Sequence, residues 1–191
     1  MKTITAALAA LAASTALALA EPVAYQLDPS HSQVVFAYDH LGFSTTYGMF
    51  SGFEGTVMYD EANPENSSVE INIPISTMVT GWDARDQHFS SPDFFNVAEF
   101  PAATFTSTSV EVTGENTAKI TGDLTAVGTT KPVALDVTFN KSGIHPMAQK
   151  PTIGADATAT ITRSDFNLGK FAPNVGDEVK LMISFEAQAE G

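Results

Sequence analysis

Ionisable and aromatic side chains concentrate in one stretch, Gly81-Trp82-Asp83-Ala84-Arg85-Asp86-Gln87-His88-Phe89-Ser90-Ser91-Pro92-Asp93-Phe94-Phe95. Arginine occurs only twice in the 191 residues, at Arg85 and Arg163, each with an Asp and a Phe close behind it. On a helical turn, residues three apart share a face, so Arg85 and His88 are expected to point the same way. Such a pair can donate to a phosphate, a quinone oxygen or an amide. The alternative role is structural, with Arg85 pairing with Asp86 or another carboxylate and Arg163 pairing with Asp165. A buried arginine needs a partner of one kind or the other, because an unpaired charge in an apolar interior is costly.

The remaining chemistry is sparse. His31, His40, His88 and His145 lie far apart in sequence, without the close pairing of ligands that zinc sites use, so no metal is expected. No cysteine is present to act as nucleophile, ligand or disulfide partner. A Ser/His/Asp hydrolase can be written down around Ser32 and His31. Neighbours on a strand face opposite ways, however, so His31 is poorly placed to serve Ser32. There is no nucleophile elbow and no glycine-rich phosphate loop. The expectation is a binding protein without a cofactor, not an enzyme.

Residues 1–20 read as a secretory signal. Lys2 supplies the charged start, an Ala/Leu-rich run follows, and Ala18-Leu19-Ala20 gives the small-x-small pattern for cleavage before Glu21. The run is near the lower length limit for a membrane span, is rich in weakly hydrophobic Ala and ends in a cleavage pattern, so a cleaved periplasmic protein is expected, without stable membrane insertion. Loss of Lys2 takes the formal charge from −13 to −14 and leaves 171 residues, enough for one domain with a sizeable core. An acidic chain without basic clusters is not a nucleic-acid partner.

The elements that must position these residues are strands. Apolar residues alternate with polar ones through Val34-Phe36-Tyr38-His40, Phe53-Val57-Tyr59, Val69-Ile71-Ile73-Ile75 and Ala103-Phe105. The same holds for Ile120-Gly122-Leu124, Val133-Leu135-Val137-Phe139, Ile153 to Ile161 and Val179-Leu181-Ile183-Phe185. Turns fall at Asp60 to Asn66, Thr113 to Asn116, Gly128-Thr129-Thr130 and Asn174 to Asp177. One-faced strands of this kind must close or stack to hide their apolar faces and edges. The expected fold is all-β, an antiparallel up-and-down barrel of about eight strands. An interior of that size is filled by side chains or holds one small ligand. Gly122, Ala155, Ala157 and Ala159 are small enough to leave room inside. Only Thr80 to Ala98 reads as helical, with Ser91-Pro92 as N-cap and first helical residue. That segment is expected to be a lid at the mouth.

The order of motifs resembles the YceI-like family. Tyr25-x-Leu27-Asp28-Pro29-Ser30-His31-Ser32, Phe36-x-x-x-His40 and Gly48-x-Phe50 open the series. Arg85-Asp86-x-His88-Phe89-x-Ser91-x-Asp93-Phe94-Phe95, Phe100-Pro101-x-x-Thr104-Phe105, Thr121 to Thr125 and Arg163-Ser164-Asp165-Phe166 continue it. The likeness covers nearly all of residues 25 to 187. It implies an extended lipocalin-like barrel, exported in bacteria, that holds a polyisoprenoid or similar long-chain amphiphile in its lumen. It also leaves a homodimer open. Two departures, Asn167-Leu168-Gly169 after Phe166 and Ala126, bear on the shape of the lumen.

The residues expected at ligand are Phe36, Tyr38, His40, Phe43, Phe50 and Phe53 from the first strands, with Ile73 and Ile75. The lid supplies Trp82, Arg85, His88, Phe89, Phe94 and Phe95. Phe105, Leu124, Arg163 and Phe166 complete the set. At about 0.3 kcal/mol per heavy atom, a tail of roughly 40 carbons gains on the order of 12 kcal/mol, roughly nanomolar affinity. The expected function is therefore sequestration of a quinone or polyprenyl lipid. Its rivals are a fatty acid, fatty amide or other hydrophobic cargo, and a non-catalytic stress or interaction module.

Overall fold

A computed structural model of the chain describes residues 21–189. The expected signal segment, 1–20, lies outside the described residues. Ten strands form one antiparallel sheet: β1 Val23–Leu27, β2 Gln33–His40, β3 Ser44–Ser51, β4 Glu54–Tyr59, β5 Ser68–Pro74, β6 Ala102–Val112, β7 Thr117–Ala126, β8 Thr129–Ile144, β9 Pro151–Thr162 and β10 Val175–Ala189. Among the described residues there is one α-helix, α1, over Asp83–Ser90.

Closure follows the hydrogen-bonded order β1-β4-β5-β6-β7-β8-β9-β10, and β10 pairs back onto β1. Eight strands therefore complete the ring, and no edge is left open within it. From β4 onward the ring is a simple meander. The β2–β3 hairpin is inserted between ring neighbours β1 and β4, and the length of β10 accommodates it. The end of β10, Ala187 to Ala189, pairs with β1, while Val175 to Ser184 pairs with β2. The hairpin thus extends the wall above β1, and a bridge between Met49 and Val79 ties it to the segment after β5.

Alternation carries through as expected. Along β9, Ile153, Ala155 and Ala157 face inward and are buried, while Asp156 and Thr158 face out. Two glycines admit neighbouring aromatic rings. A Cβ at Gly48 would lie 2.1 Å from the Phe36 ring, and one at Gly122 would lie 2.4 Å from the Phe105 ring. Gly122, expected to leave lumen space, is therefore occupied from the next strand. Leu27, Ile153 and Ala187 are buried where β1, β9 and β10 meet.

The helix differs from expectation. It begins at Asp83, after Trp82, and stops at Ser90. Ser91-Pro92 follows its end instead of starting it: the Ser91 hydroxyl and amide both donate to the His88 carbonyl, closing the last turn. Asp83 and Asp86 in the first turn and His88 in the last suit the helix dipole. An eight-residue helix with so little apolar surface needs tertiary anchors.

Candidate functional site

Inside the ring runs one elongated cavity of about 560 Å³. That volume lies in the range of small-molecule sites. Its middle is walled by aliphatic and aromatic side chains that the period-two pattern sends inward, among them Ile73 from β5, Phe105 from β6, Leu124 from β7, Val137 from β8 and Leu181 from β10. One end is ringed by Trp82, Arg85, His88, Lys170 and Phe171, and this is the mouth. The other end is bounded by Pro64, Ser67, Val112 and the turn at Gly114 to Asn116.

Of the eighteen expected contact residues, all but Phe43 line this cavity. Phe43 sits at the tip of the β2–β3 hairpin, 89% exposed, because the chain turns at Leu41-Gly42 before the inward alternation reaches it. Aromatic contacts lead from wall to mouth. Phe36, Phe50 and Phe95 form one series, with centroids 5.4 and 5.6 Å apart. Tyr38, Phe89 and Phe94 form another, at 6.3 and 4.8 Å. His88 packs edge-on against Phe94, and Phe171 lies tilted beside the same ring, 6.3 Å between centroids.

Arg85 and Asp86 make no direct ion pair; they meet through Thr80. Arg85 donates from Nε to the Thr80 hydroxyl (2.9 Å) and from Nη2 to its carbonyl (2.6 Å). Asp86 accepts from the Thr80 amide (2.9 Å) and from its hydroxyl. Thr80 is buried, so this clamp fixes α1 to the strand segment that bridges β3. Only part of the Arg85 guanidinium is used. Its remaining N–H donors stay at the mouth, 5.9 Å from the Trp82 ring centre. Arg85 thus has both the structural and the site position that its sequence context allowed.

Among the described residues no carboxylate forms an ion pair with Arg163, and the expected pairing with Asp165 is absent. Its guanidinium donates to four backbone carbonyls: Gly176 (2.8 Å), Lys170 (2.9 Å), Val175 (2.9 Å) and Leu168. Burial lowers its pKa from the usual value, with Asp177 opposing that shift. The carbonyl dipoles meet the charge, and in return the arginine organises the loop from Leu168 to Gly176 over the mouth. A neighbouring Asp in sequence gave no sign of this arrangement.

His88 contacts Asp93 at 3.2 Å, and Lys170 reaches the same carboxylate. Lys170 and then His88 hold the Asp93 carboxyl below its usual pKa. Lys170 and Phe171 escaped the sequence reading, because a loop carries no periodicity that reveals an inward residue. Val34, Val57, Leu135, Ile161 and Ile183 were within its reach, since each lies on an alternating face that lines the cavity.

The possible hydrolytic group resolves into a local turn. Ser32 donates to the Asp28 carbonyl at 2.8 Å and does not meet His31. His31 presents Nδ1 to both Asp28 (2.9 Å) and Ser30 (3.1 Å). One ring nitrogen therefore faces both partners, whereas a triad uses the two nitrogens separately. The Ser30 hydroxyl and then His31 depress the Asp28 carboxyl to about 2. Among the described residues, no group of three or more His, Asp or Glu is arranged to hold a metal, and no helix is long and apolar enough to cross a membrane.

Comparison with solved structures places the same architecture in BcnA of Burkholderia cenocepacia. Its TM-score is 0.76 at 27% identity, covering 84% of this chain and 99% of that one. A polyisoprenoid binding domain from Saccharophagus degradans shares the fold, with a TM-score of 0.66 at 15% identity over 88% and 99% of the two chains. A UPF0312 protein of Pseudomonas savastanoi pv. phaseolicola is 39% identical across 94% of this chain and 95% of its own. The YceI-like domain model matches residues 25–187, all ten strands but the outer ends of the first and last. With its barrel, its motifs and its relatives in agreement, the chain belongs to the YceI-like family.

Proposed function

We propose that this protein is a periplasmic carrier that sequesters one isoprenoid-type lipid, a quinone or a polyprenyl derivative, in its lumen. One observation carries the reading. The lumen is a long apolar cavity, whereas free N–H donors of Arg85 and the His88–Asp93–Lys170 group gather at one end. That polarity matches a greasy tail with a compact polar head. Tail burial supplies affinity, and the mouth fixes orientation and selects among heads. The name of the polyisoprenoid binding domain that shares the fold supports the choice of chain type.

Transfer through water is what such a barrel makes easier, because the apolar chain exchanges one apolar surrounding for another. No bond need be made or broken, and no cofactor enters. The test is to purify the protein from its native envelope, extract it into organic solvent, and weigh the extract by mass spectrometry. One lipid with five-carbon repeats, near one per protein, is expected. A saturated fatty acid or amide in that extract would replace the isoprenoid reading. An extract without lipid, from protein that also fails to take up added prenyl alcohol, would refute it.

A further inference from the structure

The far end of the cavity is not a closed floor. Tyr59 of β4 and Phe139 of β8 stack with centroids 5.1 Å apart and planes inclined by 20°. In the ring, β4 and β8 are four strands apart by either route, so they are opposite walls. The two rings therefore form a bar across the lumen. On the bar's β1–β10 side, Tyr25, Leu27 and Ala187 are buried and pack the space. On its β6–β7 side, Val110, Val112 and Ala118 continue the apolar wall. There Val112 lines the cavity and is also 42% exposed, and the exposed Glu115 and Asn116 border it. Apolar lining thus reaches solvent at this end as well as at the mouth.

Length gives this opening a use. The lined part of β7 runs from Ala126 to Thr117, nine residue steps. At about 3.4 Å per step and a tilt of about 40°, that wall is about 23 Å long along the barrel axis. An extended chain advances about 1.2 Å per bond, a third of the extended peptide repeat, so about 20 bonds fit. At four bonds per unit along the chain, this is about five isoprene units.

We propose that the lumen is a tunnel with a second, tail-end portal beside the Tyr59–Phe139 bar, through which chains longer than about five isoprene units emerge. The bar steers the tail toward the Thr113–Asn116 turn, and Val112 sets the width of the exit. This inference rests on the carrier reading above and specifies which chains the same lumen accepts.

The experiment compares prenyl alcohols of three and eight isoprene units, by displacement of a fluorescent prenyl probe, on the wild type and on Val112→Trp. Val112 stands at a rim, so the substitution narrows the exit without entering the packed core. The variant is expected to keep the three-unit affinity within twofold and to lose at least tenfold for the eight-unit chain. Retained short-chain binding also reports that the barrel is folded. A second measurement uses an eight-unit alcohol with a photoreactive group at the tail end, whose adducts should map to 112–116. Equal affinities for the long chain in both proteins, or adducts confined to the mouth, would overturn the portal and leave the carrier reading standing. Absence of binding by any chain to the wild type would instead sink the carrier reading itself, and the portal with it.

Discussion

Ala157→Trp places an indole in the middle of the lumen. Ala157 is buried on β9, opposite Val137 of β8 and Ile183 of β10, and all three line the cavity. The substitution adds about nine heavy atoms, which displace a similar number from a bound chain. At about 0.3 kcal/mol per ligand atom, the loss is about 2.7 kcal/mol, near a hundredfold in Kd. Overpacking a filled core usually costs about 1–3 kcal/mol, but here the indole enters space that side chains do not fill. Stability should therefore stay within about 1 kcal/mol of wild type. Displacement of a fluorescent prenyl probe measures the first quantity, and urea unfolding measures the second. A stable variant with unchanged affinity would mean that cargo does not use the middle of the lumen. A severely destabilised variant would mean that the lumen is not open there.

Three further outcomes follow from residues outside that wall. Arg163→Met strands four carbonyls of the mouth loop, and at about 1 kcal/mol each after partial rehydration the cost is about 4 kcal/mol; a change below 1 kcal/mol in urea unfolding would contradict the anchoring role. Asp28→Asn removes a carboxyl whose pKa is depressed from 3.8 to about 2. Because the folded state holds fewer protons there, its contribution is present above pH 4 and disappears as pH falls toward 2. The full shift corresponds to about 2.4 kcal/mol, reduced to about 1 kcal/mol by solvent screening at this surface site. Thermal unfolding of wild type and variant should differ at pH 5 and converge near pH 2, and a gap that widens on acidification would reverse the sign. Finally, Phe43→Ser should leave prenyl affinity within twofold, because this side chain projects from the hairpin tip; a tenfold loss would place Phe43 at the cargo after all.

Much of the barrel was legible because its strands each have one buried face. Val69-Ile71-Ile73 and Val133-Leu135-Val137 declare their inward side by alternation alone, and closure follows from the need to hide it. What alternation does not encode is pairing between distant strands. The double partnership of β10, the inserted β2–β3 hairpin and the Tyr59–Phe139 bar all join residues far apart in the chain. The helix boundary is not legible from Ser91-Pro92, because Ser-Pro suits a helix start or the turn after a helix equally well, and here Ser91 caps an end. Both arginines stood beside aspartates, which suggested ion pairs. Neither bonds to its neighbour: Arg85 uses Thr80 and Arg163 uses the loop backbone, partners that sequence adjacency cannot reveal. Proximity to the first strand suggests an inward Phe43, but the tight turn at Leu41-Gly42 carries its side chain to the exposed hairpin tip.

The most direct measurement is a crystal structure of the protein grown with an eight-unit prenyl alcohol. Continuous density is expected along the lumen, with the hydroxyl beside Arg85 and His88 and the tail passing Val112. Density lying outside the barrel, or a lumen collapsed upon itself beside free lipid, would contradict it.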